Sequence, residues 1–398
     1  MSDPRPRDPR FTVRRRPSRK SLRDTLTAYL FVSPSALIIG VFGLFPLFFT
    51  VYVSLFRWRL VRGRFSGLDN FSSLFGTNPV FLLAVVASIA GIVLAAILLR
   101  NRPEGRGPWR ILAGCALLAC SLVGLAVSLP YLASQGDKAA FDSLRVTIWY
   151  CICTVPIQLV GGLIVAVLLT QRIRGKQAFR VIYLMPYIAP TVATAAIFEL
   201  LFSLRPDSFA NQVMKLMGSA PLQWLQEPKG IIPLLFGTRM RAMGVVPAYW
   251  AEWAQGPSLA LTAIVFYSLW VFIGYYALIY INGLGQIPRQ LYEAAEVDGA
   301  SRARTFFSIT LPLLSPTTYF LSLLGVIGTF KAFTHLYVLR SPAAAGTVDP
   351  LSVSIFFTAF RMGNMGYASA VSLLLFVIVV GLAIVQQRTA EKQVAYGD

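Results

Sequence analysis

The chain has 398 residues, of which 56% are apolar and only 13% charged, about half the charged share usual in soluble domains. Its formal charge of +19, from 36 Lys and Arg against 17 Asp and Glu, would in a soluble protein suggest a nucleic-acid partner. So low a charge density argues instead for a membrane protein, in which the positions of the cations carry topology.

A bilayer core about 30 Å thick needs about 20 apolar residues in helix. Eight uncharged or nearly uncharged stretches meet that need: 25–56, 79–99, 111–132, 146–170, 181–204, 258–282, 305–330 and 366–387, with Glu199 their one charged residue. The sequence therefore predicts an all-α polytopic membrane protein of about eight transmembrane helices. The first stretch is too long for a signal-peptide core and reads as a retained anchor. With the N-terminus inside, the segments 1–24, 100–110, 171–180, 283–304 and 388–398 hold 22 Lys and Arg in 78 residues, against 14 in the 123 residues on the other side. Short cationic loops are retained in the cytoplasm, so both termini are expected there, with 1–24 and 388–398 as cytoplasmic tails. Cys115, Cys120, Cys151 and Cys153 all fall within spans, where a thiol acts as a small apolar group, and no metal pattern emerges. Glu199 is expected near the end of its span, paired with Arg205.

Two segments between spans invite attention. Residues 205–257, with Trp224, Trp250 and Trp253, predict a short amphipathic or re-entrant piece beside an interfacial aromatic belt. Residues 281–316 predict a short charged helix. Pro288 suits its first turn, Gly299 the left-handed residue that closes it, and Ser301 the cap of the next. Glu293, Glu296 and Val297 lie on adjacent faces of that helix, while Ala294 and Ala295 would let another surface come close.

That loop carries a family resemblance. Glu293, Ala294, Ala295, Gly299, Ile309, Leu311 and Pro312 meet the signature of permease subunits of binding-protein-dependent ABC importers. GLDNF at 67–71, VPIQLVGGLIVAVLL at 155–169, FRVIYLMPYIAP at 179–190, FKAFTHLYVL at 330–339 and the last span are similar to the sugar-type, maltose-permease-like branch. Segments 75–140 and 226–255 fall outside the likeness. The resemblance implies a six-helix importer core, the first span 25–56 followed by 146–387, into which a hairpin of two spans, 79–132, is inserted.

It further implies inward movement of a sugar through a bacterial or archaeal cytoplasmic membrane. Partners would be a second homologous permease, a cytoplasmic ATPase dimer carrying ATP and Mg, and an extracytoplasmic solute-binding protein, with no nucleic acid and no cofactor on this chain. Within the loop 283–304, Glu293, Ala294, Ala295 and Gly299 would couple to the ATPase, with Ile309, Leu311 and Pro312 in support. Tyr275, Trp270, Ser268, Thr329 and Phe330 are the candidates for the sugar pathway. The residues alone are consistent with this division of labour: Gly175-Lys176 lacks the surroundings of a phosphate-binding P-loop, so no ATPase or other enzyme is expected here. An ion-coupled carrier would need more ionisable groups within the spans, and a membrane-embedded lipid or glycan enzyme would need clustered acids or histidines. His335 reads as a packed or interfacial histidine.

Overall fold

The computed structural model describes residues 19–100, 109–171, 175–236 and 248–390. Most of the N-terminal tail, the tip of the 100–110 loop and the last eight residues lie outside the described residues. Two compact units are present, Met1–Tyr52 and Val53–Asp398. Among the described residues there is no β-strand, only two isolated bridges.

In the first unit, α1 (Arg19–Ile39) passes through a π-helical turn, Gly40–Leu44, into α2 (Phe45–Ser54). The widened turn directly precedes Pro46, which has no N–H for the ordinary helical bond, so the apolar run continues as one span, Arg23–Ser54.

In the second unit, α3 (Asp69–Phe75) is followed by a hairpin of α4 (Pro79–Arg100) and α5 (Trp109–Gln135), then by α6 (Lys138–Thr170). Asn70, in the GLDNF run, is buried and donates to the carbonyls of Ser54 (2.7 Å) and Phe56 (3.0 Å), fixing α3 against residues 54–56. α6 begins eight residues before the apolar stretch at 146. Its early charges are satisfied locally: Asp137 caps the helix through Ala139 N at 2.9 Å, and Arg145 pairs with Asp142 at 3.2 Å.

The stretch 181–204 is not one straight span. It divides into α7 (Lys176–Ile188) and α8 (Thr191–Leu201), inclined at 96°. Pro190 removes a donor and drives Ala189 into extended backbone, ψ 149°, which ends α7. Among the described residues, seven helices are thus long and apolar enough to cross a membrane, or eight with the bent pair counted as one span. Glu199 lies exposed on α8, and no ion pair joins it to Arg205, contrary to expectation.

The following segment holds α9 (Phe209–Leu216), α10 (Ile231–Phe236) and α11 (Ala248–Ala254). α9 is the expected amphipathic piece. Its fully buried Asn211 binds Leu222 N (2.9 Å) and Trp224 Nε1 (3.0 Å), leaving Phe209 and Leu216 exposed on the other side.

α12 (Leu259–Gly285) leads through α13 (Arg289–Val297) and α14 (Arg302–Thr305) to a π-helical turn, Phe306–Thr310, and α15 (Leu311–Leu313). The span expected at 305–330 is therefore displaced to Ser315–Val338, made of α16 (Ser315–Phe330) and α17 (Thr334–Val338), because Pro312 breaks the helical bonding before it. α18 (Leu351–Phe356) and α19 (Met365–Ala390) complete the chain. The 340–350 loop closes on itself: Arg340 donates to both carboxylate oxygens of Asp349, at 2.6 and 3.1 Å, and Gly346 N donates to the same group at 2.9 Å.

α6 and α12 form the centre. A Cβ on Gly162 would sit 2.5 Å from Tyr276 Cβ, and one on Gly274 only 1.8 Å from the carbonyl oxygen of Tyr183 on α7. Without a hydrophobic drive between helices in lipid, such close backbone approach supplies the packing.

Candidate functional site

Small residues bring α6, α12 and α16 together, and the larger side chains they spare enclose a cavity of about 330 Å³. Its aromatic wall comes from α12, where Tyr267, Val271 and Tyr275 recur every four residues and so share one helix face. Tyr275 stacks on Tyr187 of α7, ring centroids 4.5 Å apart, and Tyr187 meets Phe272 edge-on at 5.8 Å.

The polar wall is a hydrogen-bonded relay. Tyr150 OH lies 2.7 Å from His335 Nε2 and 2.6 Å from Ser268 Oγ, and Ser268 Oγ donates to the Ile264 carbonyl at 3.1 Å. Tyr267 OH and Thr194 Oγ1 are 2.8 Å apart. These groups satisfy one another inside an apolar bundle, as buried polar atoms must. Gln158 of α6 and Thr329 of α16 add an amide and a hydroxyl. Among the described residues, no Lys, Arg, Asp or Glu lines this cavity.

Of the residues expected on a sugar pathway, the structure brings Tyr275 and Thr329 to the cavity. Ser268 is fully buried behind the wall, holding Tyr150. Trp270 points elsewhere, half exposed beside Phe198 with centroids 6.4 Å apart, and Phe330 is buried off the lining. Both depart from expectation because an apolar span gives no hydrophobic cue to its rotation. His335 is packed, as expected, yet it also forms part of the wall. Sequence reading missed Tyr150 and Gln158. A signal existed for α6: Thr147, Tyr150, Thr154 and Gln158 form a polar stripe at helical spacing along an otherwise apolar span.

At the far ends of α6 and α12 sits α13. Pro288 precedes the nine-residue helix as its N-cap rather than occupying its first turn. It ends in a Schellman turn: Ala300 N donates to the Ala295 carbonyl at 2.9 Å and Gly299 N to that of Glu296 at 3.1 Å, with Gly299 at φ +69°. Ser301 caps α14 by accepting from Arg304 N at 3.3 Å.

Tyr292, whose hydroxyl lies 3.1 Å from Thr310 Oγ1, and the buried Ala295 seat α13 on the bundle. Ala295 therefore faces the chain's own interior, and Ala294 is the small residue left at the surface. Arg289, Glu293 and Val297 form an outward stripe at four-residue spacing, with Arg289 and Glu293 paired at 3.2 Å and Val297 88% exposed. Ile309 lies in the π-turn, half-buried, whereas Leu311 and Pro312 are exposed where the helix breaks. Behind α13 a cleft of about 1140 Å³ opens between Arg180, Tyr292, Glu296 and Arg302.

A profile of the binding-protein-dependent transport system inner membrane component matches residues 158–391, which include α12, α13 and both walls of the cavity from Gln158 onward. The chain belongs to this family. It is 31% identical to the trehalose/maltose transport system permease protein MalF of Thermococcus litoralis over 64% of this chain and 76% of that one. It is 30% identical to the sn-glycerol-3-phosphate transport system permease protein UgpA of Agrobacterium fabrum, over 70% and 84% of the two chains. Its fold is similar to that in a crystal structure of a bacterial alginate ABC transporter in complex with a periplasmic protein, TM-score 0.60 at 14% identity, covering 95% of this chain and 99% of that one. This is thus a multi-pass membrane permease subunit of an ABC importer, which works with ATPase and binding-protein partners and is not itself an enzyme. The carrier and membrane-enzyme alternatives are set aside.

Proposed function

We propose that this chain supplies one half of the pathway for a neutral sugar or oligosaccharide, moved inward by alternating access with a second, homologous permease. The observation that carries the reading is the cavity itself. It offers the Tyr275 ring, held by stacking on Tyr187, on which the C–H face of a sugar packs, beside hydroxyl and amide groups for its hydroxyls. The relatives' names span neutral sugars and sn-glycerol 3-phosphate. The uncharged lining favours a neutral solute, because an anion drawn from water into this cavity would need a cation that the chain does not place there.

In this reading the ATPase seats against α13, where Glu293 and Ala294 face outward and Gly299 holds the turn. The distribution of Lys and Arg supports a cytoplasmic location for α13 and both termini, and the family supports a bacterial or archaeal cytoplasmic membrane. The solute-binding protein then meets the opposite end, built from the 55–76, 205–236, 248–258 and 340–367 segments. ATP and Mg belong to the ATPase.

Uptake into proteoliposomes holding the assembled importer, assayed with maltose, arabinose-containing oligosaccharides and sn-glycerol 3-phosphate, tests the solute class. Tyr275→Ala should lower uptake of a neutral sugar about tenfold, roughly one stacking contact's worth of free energy, while Tyr275→Phe and Trp270→Ala stay near the parent rate. Uptake confined to the phosphate ester, or indifference to Tyr275→Ala, would refute the assignment.

A further inference from the structure

The hairpin of α4 and α5, which precedes the part of the chain matched by the family profile, meets the short helix α11 in space. Trp250 of α11 donates its indole N–H to the carbonyl of Ala126 on α5 at 2.8 Å. Its neighbour Tyr249 packs on a cluster of Val85 from α4, Leu132 and Ala133 from α5, and Phe141 from α6. From the same short helix Glu252 accepts a hydrogen bond from Arg145 and lies 3.6 Å from Lys138, both on the first turns of α6. Trp253 continues the contact to Trp149 of α6, ring centroids 6.5 Å apart.

The hairpin has the construction of a self-contained unit. A Cβ on Gly91 would fall 2.2 Å from Ser121 Oγ, and one on Gly124 2.6 Å from Ser88 Oγ, so α4 and α5 interlock at backbone distance. At its end, Asp137 N donates to the Leu74 carbonyl at 3.1 Å, tying the hairpin's exit to α3. On the other flank, Ile231 N donates to the Pro257 carbonyl at 2.9 Å, directly before the first turn of α12. α11 therefore stands between the hairpin, the start of α6 and the start of α12. Tyr150 lies five residues beyond Arg145 on α6, and Tyr267 lies eight residues into α12; both line the cavity.

We propose that the hairpin and α11 pack as one module, and that Trp250 and Glu252 are positioning residues through which it fixes the near ends of the two helices that wall the solute cavity. Charge supports the assignment. Arg145 and Lys138 face Asp142 and Glu252, and loss of Glu252 would leave two cations against one acid. The positioning part rests on the transport reading above; the module itself rests on packing alone.

Reciprocal thiol labelling of the purified importer, with the four native cysteines replaced, separates the two. A cysteine at Ala251 on α11 reports on the hairpin, and one at Leu129 on α5 reports on α11. Gly124→Val, which forces α5 from α4, should speed N-ethylmaleimide labelling at position 251. Glu252→Gln and Trp250→Phe should speed it at position 129, each by about fivefold or more through local opening. Combining Gly124→Val with Glu252→Gln should add little to either alone, since both release the same contact. Uptake should fall in maximal rate at unchanged half-saturation and recover in Glu252→Asp. Labelling that responds on one side only would overturn the module. Reciprocal labelling with unaltered uptake would overturn the positioning role. Trp250→Phe, which removes one N–H and keeps a ring, decides the matter if Gly124→Val does not accumulate.

Discussion

Gly274→Val should prevent the chain from accumulating as a stable, monodisperse protein in detergent. The new Cβ would stand 1.8 Å from the Tyr183 carbonyl oxygen and 2.7 Å from its carbon. Both are backbone atoms and cannot swing aside, so α7 must part from α12. Overpacking a core commonly costs about 1–3 kcal/mol, and a clash with rigid backbone belongs at or above the top of that range. Separation would also carry Tyr187, one turn after Tyr183, away from Tyr275, so any surviving protein should have lost its solute site. Gly381→Val on α19 is the control, because a Cβ there meets nothing within 4 Å. Thermal unfolding of the two purified variants reads the difference, and equal stability would show that α7 and α12 do not approach at Gly274.

Gly299→Val should leave the chain folded and inserted yet lower ATP-dependent uptake by roughly tenfold or more, the equivalent of about 1.4 kcal/mol. A Cβ at this position touches nothing, so the penalty is purely conformational. The residue sits at φ +69°, where an L side chain costs about 1–2 kcal/mol and a β-branched one more. Relaxing that strain would open the Schellman turn and rotate the Arg289, Glu293 and Val297 stripe away from its partner. Gly299→Asn should retain most activity, since asparagine tolerates the left-handed region. Uptake by Gly299→Val at the parent rate would remove α13 from the coupling path.

The contrast between those glycines shows what the sequence could disclose. Gly299, Ser301 and the short helix between Pro288 and Asp298 are local features, set by turn and cap chemistry within a dozen residues, and they were legible. Gly274 was not, because its role depends on a carbonyl 91 residues away that no periodicity reveals. The same limit explains Trp270 and Phe330. In a span apolar all round, burial does not fix which face turns inward, so Tyr275 and Trp270 were indistinguishable until packed. The polar stripe from Thr147 to Gln158 did carry that phase. The early start of α6 was hidden for another reason: Asp142 and Arg145 resemble loop residues until Glu252, more than a hundred residues later, arrives to pair with Arg145. The break at Pro190 was within reach, since a proline disfavours helical backbone at the residue before it, although α7 carries Pro186 within its last turns.

This chain forms a solute path whose opening is driven by ATP hydrolysed on another polypeptide. The most direct test is uptake of a neutral sugar into sealed proteoliposomes reconstituted with this chain, a second permease, the ATPase and the binding protein, repeated with this chain alone. Accumulation that needs ATP and every component, together with no ATP hydrolysis by the lone chain, is the predicted result. Uptake by the lone chain driven by an ion gradient, or ATP hydrolysis by it, would contradict the account.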